Sequence, residues 1–496
     1  MSNHRPILVV IVLLVLLCVL PIALRRDSNQ GKTGQARRLV IITPHSESIR
    51  REFAEGFARK WKTKYGEDVY VDWRSPGGTS EIRLLIDASF KAAESEHRQG
   101  IGIDLMFGGG EPDFASQARK GRFIRLTVLD RHPEWFGENG AIPSTFTGER
   151  LVAVDGTWIS ACLSEFGICY NPTRWRTLNL PEPRTWQDLT QPALRGQLAL
   201  ADPTKSGSVA RAFELILQSQ MQRSLTDPTR TGLTEAERLA LGWTEGLQII
   251  QRLAANARYF TDSGAKVPLD VAAGDAMAGM CIDYFGRTYA KEKNRREPRL
   301  AWSAPATGST VSGDPIAIFR GSIEPELAQA FVEYVLSPEG QRLWQAPAKS
   351  PGGPLWYELH RPPVRRDAYT TEPLGDAATQ SPYERTDHLT YRPELTSATF
   401  GTLRKVVKVM CIDCHEELVS AWAAIIEAGM PADALATLGD LSSMPYPGVG
   451  KGDSGLDHQN PITSARRSSE LAATFRANYL RAEQLARAHL KNHEKQ

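Results

Sequence analysis

Residues 196–218, GQLALADPTKSGSVARAFELILQ, constrain the fold more than any other stretch. Residues 197–201 are short and largely apolar and predict a strand, which Asp202-Pro203 breaks. Ser206-Gly207-Ser208 then opens a run with apolar residues at Val209, Phe213, Ile216 and Leu217. That is helical spacing, with Ser206 or Ser208 as N-cap. A strand feeding a small-residue loop at a helix start leaves backbone N–H groups at the positive end of a helix dipole. Such a place suits an anion or a carboxylate. A plain strand-to-helix connection with good caps reads the same way, so the rest of the chain has to decide.

The N-terminal part repeats the pattern three times. Residues 38–43, RLVIIT, predict a buried strand, and after Pro44-His45-Ser46 a helix follows with Ile49, Phe53, Phe57 and Trp61 on one face. Residues 68–73, DVYVDW, predict a second strand, then Ser75-Pro76-Gly77-Gly78-Thr79-Ser80 opens a second helix. Residues 102–107, GIDLMF, predict a third, ended by Gly108-Gly109-Gly110-Glu111, with a helix from near Pro112. In open parallel sheets ligands sit at the C-terminal edge of the strands. Ser46, Thr79 and Gly109 would share that edge.

A second unit starts near Trp158. Residues 158–171, WISACLSEFGICYN, predict a hairpin turning near Glu165-Phe166, which sets Cys162 opposite Cys169, within reach of a strained disulfide or as two buried thiols. Residues 276–283 predict a strand, and Asp283-Tyr284-Phe285-Gly286-Arg287 the loop beyond it. Residues 316–319 predict a return strand, and 324–344 a pair of surface helices. Residues 357–394 are rich in Pro and Arg and read as loop, 400–429 as helix, and about 468–491 as a final helix.

At 496 residues with a net charge of +2, nothing in the composition calls for nucleic acid. Residues 7–24 are almost wholly apolar and long enough to span a bilayer. No small-x-small cleavage site follows, so an uncleaved anchor is favoured over a cleaved signal peptide.

The order of these pieces resembles the periplasmic solute-binding proteins of ABC importers, in the branch of ferric-iron and phosphonate or sugar-phosphate binders. The matching pieces are TPHSESIRREF, SPGGTSE and DLMFGGG in the first half. GICYNP, PRTWQDLTQPALRGQLALADPTKSGS and LSPEGQRLW follow, the whole spanning about residues 38–344. The resemblance implies an α/β fold of two lobes joined by crossing hinge strands, with a small solute clamped between them. Residues 1–37 would be the transmembrane or signal helix and tether. Residues 38–157 would form the first lobe, 158–304 the second, 305–440 the return to the first lobe with helices, and 441–496 a helical C-terminal extension.

It further implies ligand binding by Ser46, Gly78, Thr79 and Gly109 on one side. Ser206, Gly207, Ser208, Asp283 and Tyr284 face them from the other, and Asp314 sits where the chain recrosses. Ferric-iron members use adjacent tyrosines. Here the pair is Tyr284-Phe285, so iron is one candidate ligand, resting on His45, Glu47 and Tyr284 with Asp283 as a further oxygen donor. The other is a phosphonate, phosphate ester or small organic anion held by the serine and glycine N–H groups, which needs no second tyrosine. The expected role is binding and not catalysis, as a monomer outside the cytoplasm, tethered to the membrane and delivering its solute to an ABC permease. A different class of function rests on Cys411-Ile412-Asp413-Cys414-His415, the attachment pattern of a c-type haem, which would make a redox protein of the same scaffold. The bland reading of that stretch is a helix with two buried thiols. A sensor ectodomain would need a downstream signalling segment, and none is read in this chain.

Overall fold

A computed structural model describes residues 36–294, 297–370, 381–448, 456 and 460–493. The apolar run at 7–24 and Cys18 lie outside the described residues. Among the described residues no helix is long and apolar enough to cross a membrane.

The first three strands are β1 (Arg37–Ile42), β2 (Val69–Arg74) and β3 (Leu105–Phe107), parallel and adjacent. The apolar residues of β1 and β3 are buried, as strands covered by helices on both faces require, while in β2, at the sheet edge, only Val71 is. Helices α1 (Glu47–Tyr65), α2 (Thr79–Ser95) and α3 (Glu111–Arg119) follow them in turn. Ile49, Phe53, Phe57 and Trp61 of α1 pack on one face of the sheet, and Ile82, Ile86 and Phe90 of α2 on the other.

Strand β4 (Trp158–Tyr170) is one continuous strand of 13 residues, not the hairpin expected at Glu165-Phe166. Glu165 gives a turn-like signal only while its partners are unseen. It is buried, and Arg385 donates to both its carboxylate oxygens at 2.9 Å. Cys162 and Cys169 therefore lie seven residues apart along one strand, roughly 23 Å, and both are free thiols. The disulfide between them is excluded by geometry.

The second lobe adds β5 (Leu198–Ala201), α4 (Gly207–Thr226), α5 (Glu235–Asn256), β6 (Ala257–Thr261), β7 (Ala278–Ile282) and α6 (Asp283–Lys293). The segment after β7 is thus a helix start and not a loop. Strand β8 (Val311–Phe319) returns. The sheet runs β2–β1–β3–β8–β4–β7–β5–β6. The first half of β4 pairs antiparallel with β8, from Ala317↔Trp158 to Val311↔Glu165. Its second half pairs with β7, from Ile282↔Phe166 to Ala278↔Tyr170. One strand thus belongs to both lobes, and β8 beside it carries the chain back.

The C-terminal helices α8 (Phe400–Val407), α9 (His415–Glu427) and α10 (Pro461–His493) follow α7 (Pro325–Leu336). The segment 305–440 is divided where the sequence suggests one unit. Residues up to Val364 pack with the first lobe, but Leu389, Leu395, Leu403, Val406, Trp422 and Phe475 join the second lobe's core. Trp422 donates from its indole N–H to Asn256 Oδ1 at 2.8 Å, and Tyr479 donates to the Met410 carbonyl at 3.0 Å. The tail is therefore a layer of the second lobe.

Phe475→Ala, at a fully buried position of the last helix, is expected to cost about 3–5 kcal/mol. Scanning calorimetry should show the second lobe's transition falling with it. A main transition that stayed in place would mean the tail is an independent appendage.

Candidate functional site

A cavity of about 190 Å3 lies where the two lobes meet. Its walls are built largely from helix starts. Ser46 caps α1, Thr79 and Ser80 open α2, Gly110 and Glu111 begin α3, and Gly207 and Ser208 begin α4. Ile282 and Tyr284 stand at the start of α6, and Phe400 begins α8. The first N–H groups of a helix lack a carbonyl partner within it, although in α6 the Tyr284 N–H donates to Asp283 Oδ1 at 2.8 Å, and each N-terminus carries partial positive charge.

Behind this rim sits a buried carboxylate. Pro315 has no N–H to give to the sheet, and the β8–β4 register shifts between Asp314 and Pro315. Such a bulge re-aims a side chain. Asp314 there accepts from the Gly109 N–H and from Arg361, and its Oδ2 lies 3.2 Å from His45 Nε2. Arg361 also donates to Ser164 Oγ. Arg361 arrives because residues 361–363 run beside β4, with the Leu163 N–H donating to the Pro362 carbonyl at 2.8 Å and Cys162 bridging to Pro363.

Burial opposes the charge on Asp314. Arg361, His45 and the Gly109 N–H outweigh it and hold the carboxyl well below the usual carboxylate range. Burial lowers the pKa of His45, against the pull of Asp314, so the ring is held neutral near pH 7. Gly109 stands at φ +125, a conformation that brings its N–H onto the carboxylate and that residues with a Cβ rarely adopt.

A second buried network closes the side wall. Arg211 donates to both oxygens of Glu149 at 2.6 and 2.7 Å and to Glu214 at 2.5 Å. Thr310 Oγ1 donates to Glu149 at 2.6 Å. Glu111 and Asp113 also line the cavity, and burial raises both, Asp113 to about 6 against the pull of Arg83 and Arg404.

Of the residues expected to bind, Ser46, Thr79, Gly109, Gly207, Ser208, Tyr284 and Asp314 line this one cavity. Gly78 and Ser206 stand just behind as the N-caps of α2 and α4, with Ser206 Oγ accepting from the Val209 N–H. Asp283 is fully buried beneath the wall. The lobes touch here: Tyr284 and Ser46 share a hydrogen bond of 2.5 Å, and a Cβ on Gly207 would come within 2.7 Å of Thr79 Oγ1.

The three candidate metal ligands are not gathered at one point. His45 is held by Asp314 and Arg361, Tyr284 by Ser46, and Glu47 is exposed outside the cavity lining. Among the described residues no group of three or more His, Cys, Asp and Glu side chains is arranged for a metal ion.

The Cys411–His415 stretch does not fit a haem. Lys408–Ile412 forms a π-helical turn, both thiols are buried in the second lobe's core, and Cys414 Sγ lies 3.6 Å from the Ala472 carbonyl. His415 Nε2 is 3.1 Å from the Ala254 carbonyl and its ring packs edge-on against Phe260. Close packing leaves no slot for a porphyrin beside the thiols.

Arg211, Glu149, Arg361, Phe400 and Arg404 line the cavity and were not legible as site residues. Each is a single residue in a helix, a short strand or a Pro-rich loop, with no motif around it.

A family model described as bacterial extracellular solute-binding protein matches residues 112–367, which is 256 of the 496 residues. The phosphoglycerate transport regulatory protein PgtC of Salmonella typhimurium is 25% identical over 310 residues, 62% of this chain and 64% of that protein. The chain thus spans less than two thirds of that relative's length. The sulfate-binding protein of Synechococcus elongatus is 23% identical over 331 residues, 65% of this chain and 76% of that protein. The crystal structure of the substrate binding protein of an ABC transporter from Agrobacterium tumefaciens superposes with a TM-score of 0.53 at 16% identity. It covers 78% of this chain and 96% of that one, a likeness of fold.

Two outcomes test the electrostatics. Asp314→Ala strands Arg361 in the interior and should cost about 3–5 kcal/mol, read by urea unfolding, whereas the Asp314→Ala/Arg361→Met double variant should recover part of that loss. Burial raises the Asp283 carboxyl from 3.8 to about 6, against the pull of Arg287 and Arg361, and its Oδ2 has no partner. The folded state therefore holds this proton more tightly than the unfolded chain. Stability is present below about pH 4 and is lost as pH rises through about 6. Asp283→Asn should flatten that slope and gain on the order of 2 kcal/mol at pH 7, seen as a higher Tm at pH 7 with little change at pH 4.

Proposed function

Because this chain belongs to the bacterial extracellular solute-binding proteins, we propose that it captures a small anionic solute between its two lobes and hands it to an ABC permease outside the cytoplasm. Its role is binding and not catalysis. The observation that carries this reading is the convergence of five helix N-termini, those of α1, α2, α3, α4 and α6, on one cavity between the lobes.

The donors at the helix starts, and not the side-chain charges, favour an anion. Arg361 and Arg211 are matched by Asp314, Glu149 and Glu214. The backbone N–H groups at the helix starts and the hydroxyls of Thr79, Ser80 and Ser208 are the donors offered to a solute. Glu111 and Asp113, whose carboxyls burial raises, offer acceptors to hydroxyl groups of a solute. At about 190 Å3 the cavity is smaller than the roughly 300–1,000 Å3 that takes drug-sized ligands. A phosphate ester or hydroxy acid of a few carbons meets all three conditions. The names of two relatives, a phosphoglycerate transport regulatory protein and a sulfate-binding protein, support an anionic solute. Ferric iron would need oxygen ligands that His45, Glu47 and Tyr284 do not supply together.

Isothermal titration against 3-phosphoglycerate, sulfate and ferric citrate is expected to give one bound phosphate ester per chain, and weaker or no binding of iron. Tight binding of ferric citrate with no binding of the phosphate ester would overturn the anion reading. Gly207→Val drives a branched side chain into Thr79 across the cleft and should weaken binding at least 100-fold. Its far-ultraviolet circular dichroism should stay that of the native protein.

A further inference from the structure

We propose that the C-terminal tail is a latch on the solute cleft, and that Arg404 is the positioning residue that fastens it. This rests on the cleft being the solute site. The tail lies beyond the part of the chain that the family model matches, which ends at residue 367. Yet Phe400 and Arg404 line the cavity beside Asp113.

Helix α8 is fixed to the second lobe by Leu403, Val406 and Val407, all buried in that lobe's core. From there Arg404 reaches two places. Its Nε donates to the Pro203 carbonyl at 2.7 Å, and its Nη2 to the Thr204 carbonyl at 2.7 Å, both in the loop between β5 and α4 of the second lobe. The same Nη2 lies 3.1 Å from Ser80 Oγ, in the first turn of α2 in the first lobe. Ser80 belongs to a helix whose Ile82, Ile86 and Phe90 are buried in the first lobe. A planar guanidinium makes these contacts in one rigid fork, which a lysine ammonium cannot copy.

The geometry has a functional consequence. Opening the cleft separates α2 from the second lobe and must break the Arg404–Ser80 contact, while the two carbonyl contacts travel with the second lobe. Arg404 therefore adds stability to the closed arrangement alone. It acts on how long a solute stays and not on how it finds its way in. The carbonyl pair meanwhile holds the loop that leads into α4, so the guanidinium also keeps the Gly207 and Ser208 wall in register with the opposite wall.

Arg404→Ala, Arg404→Lys, Ser80→Ala and the Arg404→Ala/Ser80→Ala double variant, all in the full chain, test this. With 3-phosphoglycerate as probe, stopped-flow kinetics should show dissociation about tenfold faster for Arg404→Ala and association within twofold of the parent. Arg404→Lys should behave like Arg404→Ala, and Ser80→Ala should give a smaller rise. The double variant should be no faster than Arg404→Ala, because both changes remove one contact. Hydrogen exchange without any solute should rise over residues 79–86 in Arg404→Ala and Arg404→Lys, with Tm within a few degrees of the parent. Unchanged dissociation and unchanged exchange overturn the latch, as does a full additional effect of Ser80→Ala on top of Arg404→Ala. If the parent does not bind 3-phosphoglycerate, the exchange arm decides the latch alone, and that failure counts against the solute class and not against Arg404.

Discussion

The Asp314 carboxylate is where the strand edges of the first lobe are tied together. Burying it costs several kcal/mol before any partner is counted. The bulge in β8 supplies the carboxylate, and three other segments offset that cost: the loop after β1 brings His45, the loop after β3 brings the Gly109 N–H, and the segment beside β4 brings Arg361. Each of those segments also contributes to the cavity wall. A shared buried anion therefore fixes the relative positions of the loops that present donors to a solute. The result is preorganisation, since the donors are aimed before anything arrives and little ordering remains for binding to accomplish.

The same tie explains why cationic side chains do not define the ligand. In a site built to grip an anion by arginine, the guanidinium faces the ligand. Here Arg361 and Arg211 face inward to carboxylates. Backbone N–H groups and the hydroxyls of Thr79, Ser80 and Ser208 line the gap beside the carboxyls of Glu111 and Asp113 and the guanidinium of Arg404. Partial charges at helix starts are worth about 0.3–1 kcal/mol each where exposed and up to about 2 where partly buried. Five of them around one cavity act in the same direction on an anion. Such a field is what the proposed anionic solute would meet on entering the cleft.

Much of this was legible in the sequence, and the failures share one cause. The βα units announced themselves through local signals: the apolar runs of β1 and β2, the i, i+4 face of Ile49, Phe53 and Phe57, and the small residues at Gly78-Thr79 and Ser206-Gly207. Those signals sit within a few residues of what they specify. Glu165 gives a turn signal because its partners Arg385 and His388 lie more than 200 residues away, and a buried charge is invisible until its counter-charge is placed. Asp283 to Arg287 resembles a loop in the sequence because polar residues at a strand's end look alike whether or not a helix follows. Arg361 and Arg404 carry no local pattern at all. Their meaning comes from which carbonyls and carboxylates the fold sets beside them. The Cys411–His415 motif failed in the opposite sense: the local pattern was complete, but burial of both thiols gives it a packing role.

The tail changes the energetics of the two-lobed design. A binding protein of this kind works only if the empty cleft opens readily and the filled one closes. Every contact that exists solely in the closed arrangement shifts that balance whether or not a solute is present, by a factor of ten for each 1.4 kcal/mol. Tyr284 to Ser46 is one such contact and Arg404 to Ser80 is a second. A neutral hydroxyl contact contributes about 0.5–1.5 kcal/mol and one to a charged group about 1.5–3. Together they fall within the few kcal/mol by which such equilibria are poised. A stronger pair would shut the empty cleft and slow both capture and release. Reaching Ser80 with one nitrogen of one arginine, while the rest of that side chain stays bound to the second lobe, keeps the tail's contribution inside that window.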